Sequence, residues 1–148
     1  MKKLLTALSL MLCVAAAAQT PDIAAMRESI RGKCVTVKYS YKSTGDTPLV
    51  MNGTVTVQDS CFVLKGDGIE VYCNGVTRWF VDREAKEVYV DSFGGVDAVI
   101  ADPAGYQQYL SGLKLSERKE AAADKPLSFF EFPTKGLGSD WLVTDLRD

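Results

Sequence analysis

The sequence predicts an α+β fold: a curved antiparallel sheet, an incomplete barrel built as a meander, with helices packed over its concave face. Three observations predict it. Apolar and polar residues alternate with period two through most of the stretch from Cys34 to Ser92. The runs are separated by connectors of hairpin length, which makes neighbouring strands antiparallel. Two flanking segments, near 21–31 and 103–113, instead carry apolar residues at helical spacing.

The first helix is signalled by Thr20-Pro21-Asp22, a hydroxyl cap, a proline at the first turn and an acid against the helix dipole. Ile23, Met26 and Ile30 form its apolar stripe, and Arg31-Gly32 its C-terminal stop. The first strand follows, with Val35, Val37, Tyr39 and Tyr41 on one face and Thr36, Lys38, Ser40 and Lys42 on the other. Ser43 to Pro48 is a turn by composition. Further strands are predicted at about 50–58, 60–65, 69–73, 77–82 and 87–92. Beyond Gly94-Gly95, Asp102-Pro103 starts a second helix carrying Tyr106, Tyr109, Leu110 and Leu113. Glu117 to Lys125 has weak helical character, Leu127 to Phe132 reads as a strand, and Trp141 to Leu146 as a last strand.

The hairpin between the third and fourth strands admits two registers. A two-residue Asp67-Gly68 turn pairs Gly66 with Ile69 and gathers Phe62, Leu64, Ile69, Val71 and Cys73 on one face. A three-residue loop pairs Lys65 with Ile69 and sets Cys61 opposite Cys73, where a disulfide is conceivable. The hydrophobic pattern favours the first.

Residues 1–18 read as a secretory signal: Lys2 and Lys3, an apolar run from Leu4 to Val14, and small residues at Ala16-Ala17-Ala18. Cleavage is expected near Ala18/Gln19, leaving a single domain over 19–148 in the periplasm. Loss of the two lysines takes the formal charge from −2 to −4. No later apolar run is long enough to span a bilayer, so an integral membrane protein is not expected. A negative chain is also a poor partner for phosphate backbones, so no nucleic acid is expected. Cys34, Cys61 and Cys73 remain after cleavage, an odd number without metal-site or redox-motif spacing.

Histidine is absent. That excludes a Ser-His-Asp triad, a Cys-His pair and the usual histidine-bearing zinc site. Asp97 and Asp102 are the nearest approach to a paired-acid site, but both lie in turn-rich sequence where Asp is favoured for backbone reasons. Asp67 between two glycines is a turn rather than a calcium loop, since the run of acidic ligands is missing. No enzyme activity, cofactor or metal is expected. The many aromatic residues leave two readings open, a packed core or an apolar ligand pocket.

Residues from about 50 to 113 carry a resemblance. Phe62-Val63-Leu64, Ile69-Glu70-Val71-Tyr72, Asn74-Gly75-Val76-Thr77-Arg78-Trp79 and Lys86-Glu87-Val88-Tyr89-Val90 follow in order. This series resembles the LolA-like periplasmic outer-membrane lipoprotein carriers, in the short variety of Bacteroides-type bacteria. Gly53 ahead of Phe62 and the proline-led segment from Pro103 to Leu113 fit as well. The first helical segment and the C-terminal part are shorter than in the family, and Lys65 stands where some carriers have an arginine.

The resemblance implies a half-barrel lidded by helices, whose apolar interior takes the acyl chains of lipoproteins or another lipid, with envelope transport proteins as partners. It implies wall residues Val37, Tyr39, Val55, Val57, Phe62, Leu64, Val71, Trp79 and Val81, with Met26, Ile30, Tyr109 and Leu110 on the helices. For the fifth strand, Phe80 is the alternative to Trp79. The rival reading is a cell-envelope interaction module on the same scaffold, its interior filled by its own side chains.

Overall fold

Alternation of period two between Cys34 and Ser92 folds into six consecutive antiparallel strands. In the computed structural model, which describes residues 28, 30–93 and 112–147, these are β1 (Cys34–Lys42), β2 (Val50–Gln58), β3 (Cys61–Gly66), β4 (Ile69–Cys73), β5 (Thr77–Asp82) and β6 (Glu87–Ser92). β7 (Leu113–Glu120) joins the outer side of β1 antiparallel, and β8 (Leu142–Asp145) joins β6 in parallel. The result is one eight-stranded sheet in the order β7-β1-β2-β3-β4-β5-β6-β8.

The hairpins follow from local backbone chemistry. Asp67 and Gly68 have φ of 51° and 78°, the double left-handed pattern of a two-residue turn whose twist suits the strands it joins. Gly66 therefore pairs with Ile69 and Phe62 with Cys73, the register that the hydrophobic pattern favours. At the next turn the Asn74 side-chain oxygen accepts from the N–H groups of Val76 and Thr77, at 3.0 and 2.8 Å. At Arg83–Lys86 the Asp82 carboxylate does the same for Glu84 and Ala85. Short polar side chains thus satisfy the amides that the ladders leave open.

The expectation of an α+β fold with helices over the sheet is overturned. The sheet is mixed rather than antiparallel, because β8 runs parallel to β6. Among the described residues the elements are eight strands and one 3-10 turn, with no α-helix element. Leu113, predicted to end the second helix, opens β7 instead, while 103–111 lie outside the described residues. Glu28 and Ile30 have helical backbone and the chain turns out at Gly32, with φ of 69° and the Lys33 N–H donating to the Ile30 carbonyl at 3.1 Å. The rest of the first predicted helix, the signal segment 1–18, Asp97 and Asp102 lie outside the described residues.

Two C-terminal expectations also change. The segment from Glu117, read as weakly helical, is strand up to Glu120. Glu117 adopts φ of 51° where β7 bulges against β1 between Thr36 and Lys38, and its carboxylate meets Lys38 at 2.7 Å. Leu127–Phe130 forms a 3-10 turn, not a strand. From Glu120 the chain crosses from one edge of the sheet to the other before β8 begins. That crossing is long enough to allow the parallel pairing, which a hairpin cannot provide.

Candidate functional site

Register divides the sheet into two faces, each half apolar and half polar. Residues directly opposite one another point to the same side. On the first face Val35, Val37, Tyr39 and Tyr41 of β1 lie beside Val57, Val55, Gly53 and Met51 of β2. Val57 and Val55 in turn oppose Phe62 and Leu64 of β3, which oppose Cys73 and Val71 of β4. These side chains form one buried apolar layer with Ile30, flanked by Leu49, Ile69, Phe80, Phe93 and Leu115. Phe93 meets Phe62 edge to face at 5.7 Å. Past Phe80 the same face turns polar, where Arg78 and Asp91 form a half-buried ion pair.

Most of the predicted wall residues come together in this layer. Ile30, Val37, Tyr39, Val55, Val57, Phe62, Leu64 and Val71 all belong to it and are buried. Trp79 and Val81 do not: both lie on the opposite face, where Trp79 opposes Tyr72. Phe80, the alternative, opposes Val71 and is the β5 residue on the layer's side. Met26, Tyr109 and Leu110 lie outside the described residues. The layer also takes in Val35, Tyr41, Met51 and Cys73. Parity with Val37 and Tyr39 marks the first two, whereas Met51 needed the Tyr41–Met51 pairing.

Two tyrosines, Tyr39 and Tyr41, bring hydroxyls into the layer, and Tyr39 stands apart from its neighbour. It is 3% exposed, and among the described residues its hydroxyl is the buried side-chain polar atom without a hydrogen-bond partner. Tyr39 pairs with Gly53, and the next strand presents Gly66. A β-carbon on Gly53 would come within 1.9 Å of the Lys65 carbonyl, and one on Gly66 within 2.2 Å of the Asn52 carbonyl and 2.8 Å of the Tyr39 hydroxyl. The phenol therefore reaches over bare backbone. Burial, and secondarily the Asp67 charge, push it up to about 12, so it stays a protonated donor.

The second face is polar on β1 and β2, where Thr36 and Thr56 share a hydrogen bond of 2.9 Å. It is apolar on β3 to β6, with Val63, Tyr72, Val81, Val88 and Val90. The crossing segment covers this half like a strap. Phe130 and Phe132 sink into it, with Leu137 and Trp141 alongside. Gln58 and Lys125 exchange hydrogen bonds of 3.0 and 2.7 Å, Asn74 donates to Glu131 at 3.0 Å, and Lys86 pairs with Asp140. Arg83 lies over the rings of Phe132 and Trp141, at 5.3 and 5.8 Å, while donating to Glu70 at 2.9 Å.

Cys34, Cys61 and Cys73 are free thiols. Burial pushes the Cys73 thiol up to about 12, which makes it inert as a nucleophile. No group of three or more Cys, Asp or Glu side chains converges on a metal position among the described residues. No helix among them is long and apolar enough to cross a membrane. The chemistry that the first face offers is apolar contact with one buried hydroxyl left unpartnered among the described residues. No protein-family model matches the chain, and no curated protein matches it at a significant level.

Proposed function

We propose that this chain is a non-catalytic binder of acyl chains, from lipoproteins or another lipid, acting in the periplasm after export. One observation carries the reading. Four adjacent strands place Val37, Tyr39, Val55, Val57, Phe62, Leu64 and Val71 in a single apolar layer. These are positions that the resemblance to the LolA-like carriers implies as walls. Burial of each acyl methylene would contribute about 0.8 kcal/mol, so a long chain needs little else to bind. The missing histidine, which excludes the commonest hydrolytic constellations, supports binding over catalysis.

The rival is an interaction module of the cell envelope. What favours it is the outer edge at β8, where Leu142 and Val143, and Leu146 just beyond, are exposed. A fatty-acyl probe bearing a photoreactive diazirine separates the two readings. Labelling of the full chain should fall on β1 to β4 peptides carrying Tyr39, Tyr41, Met51 and Phe62. Labels confined to β8, or absent, would leave the interaction module as the better reading.

A further inference from the structure

We infer that the Tyr39 hydroxyl is the polar anchor of the bound ligand, donating a hydrogen bond to a neutral acyl carbonyl, an ester or an amide. This rests on the acyl-binding reading and specifies what part of the ligand the site recognises. Its starting point is a hydroxyl that has no partner. A buried donor left unsatisfied is destabilising, and phenylalanine would fill the same ring volume without that cost. Tyr39 sits in a layer made mostly of valines with a leucine and a phenylalanine, and among the described residues its hydroxyl is the buried side-chain polar atom left without a partner.

Geometry fixes where that donor stands. Gly53 and Gly66 leave the backbone of β2 and β3 uncovered under the phenol, because a β-carbon at either position collides with a carbonyl. The hydroxyl is therefore held at the Gly66 end of the layer, next to the Asp67-Gly68 turn. The Asp67 carboxylate is itself engaged, accepting from the Asn52 N–H at 2.8 Å. It acts on Tyr39 through its charge. Lys65, two residues before Asp67, is turned to the other face, over the Tyr72 ring.

Those charges select the ligand. An anionic carboxylate at the hydroxyl would face the Asp67 charge without a cation on its side of β3. A neutral carbonyl accepts the same hydrogen bond without that repulsion. The site thus suits an acylated glycerol or acylated amine and disfavours a free fatty acid.

The test is competition against a fluorescent acyl probe on the full chain, using a long-chain methyl ester, the free acid and an alkane of equal length. The ester should bind about fivefold more tightly than the alkane, the size of one net hydrogen bond. In Tyr39→Phe the alkane should keep its affinity and the ester should fall to match it. The denaturation midpoint of unliganded Tyr39→Phe should equal or exceed that of the parent. An ester preference that survives Tyr39→Phe, or a free acid that binds as well as the ester, overturns the anchor and leaves acyl binding standing. Failure of all three ligands to compete, with no probe bound, overturns the acyl reading and the anchor together.

Discussion

The Tyr39 hydroxyl stands 2.8 Å from the place that a β-carbon on Gly66 would take, so the phenol and the glycine occupy one niche between them. The harder constraint is the Asn52 carbonyl, 2.2 Å from the same point and part of the backbone. Gly66→Ala should therefore destabilise the chain by about 2 kcal/mol or more, read as a lower urea midpoint at unchanged slope. Adding Tyr39→Phe should not rescue it, because the carbonyl stays in place. Full rescue would mean that the phenol alone excludes the methyl group.

The strap offers two sites with different expected costs. Phe130 is completely buried against the second face, and Phe130→Ala should cost about 3–5 kcal/mol through lost burial and a cavity. Arg83 is half exposed, so its pairing with Glu70 is screened and its place over Phe132 and Trp141 is worth about 1 kcal/mol. Arg83→Ala should loosen the strap locally, shifting Trp141 fluorescence and raising amide exchange in 126–141 while β1 to β4 stay protected. Equal global destabilisation by both changes would contradict this division.

Alkali should unfold the chain for a definable reason. Burial, with the Glu70 charge second, pushes Tyr72 up to about 12, as burial and Asp67 do for Tyr39. Cys73 is raised to about 12 from an ordinary value of 9. All three hold their protons longer folded than unfolded. Their stabilising contribution is full below the unfolded values, near 9 for the thiol and 10 for the phenols, and is lost as pH rises through about 12. The urea midpoint should fall steadily across that window, and less steeply in Tyr39→Phe. A flat profile across it would mean that these groups are not sequestered.

The meander was legible because one face of β1 and β2 is wet, which keeps strict alternation in the sequence. In β3 and β4 that signal fades. Phe62, Val63 and Leu64 are all buried, as are Val71, Tyr72 and Cys73, because the layer covers one face and the strap the other. Period two alone is weak there, and on β5 Trp79, Phe80 and Val81 are three bulky apolar residues in a row, so the sequence does not tell that Phe80 shares the layer's face while Trp79 and Val81 take the other. The strap was hidden differently. Leu127 to Phe132 is apolar enough for a strand, yet Pro126 leads into a 3-10 turn that buries Phe130 and leaves Leu127 and Phe129 exposed. β7 carries no clear strand signal because its sequence, LKLSERKE, is mostly charged and its bulge at Glu117 breaks the alternation. The unpartnered Tyr39 hydroxyl has no sequence signature at all, since a half-buried strand accepts tyrosine readily.

The central claim, that the apolar layer on β1 to β4 takes an acyl ligand, is tested most directly by native mass spectrometry of the protein purified from a host that exports it, with lipid analysis of the extract. A co-purifying acyl species near one per chain, lost on solvent extraction and regained with an acylated lipid, is the expected result. A chain that is bare as isolated and takes up no acylated lipid would contradict the claim and turn attention to the β8 edge.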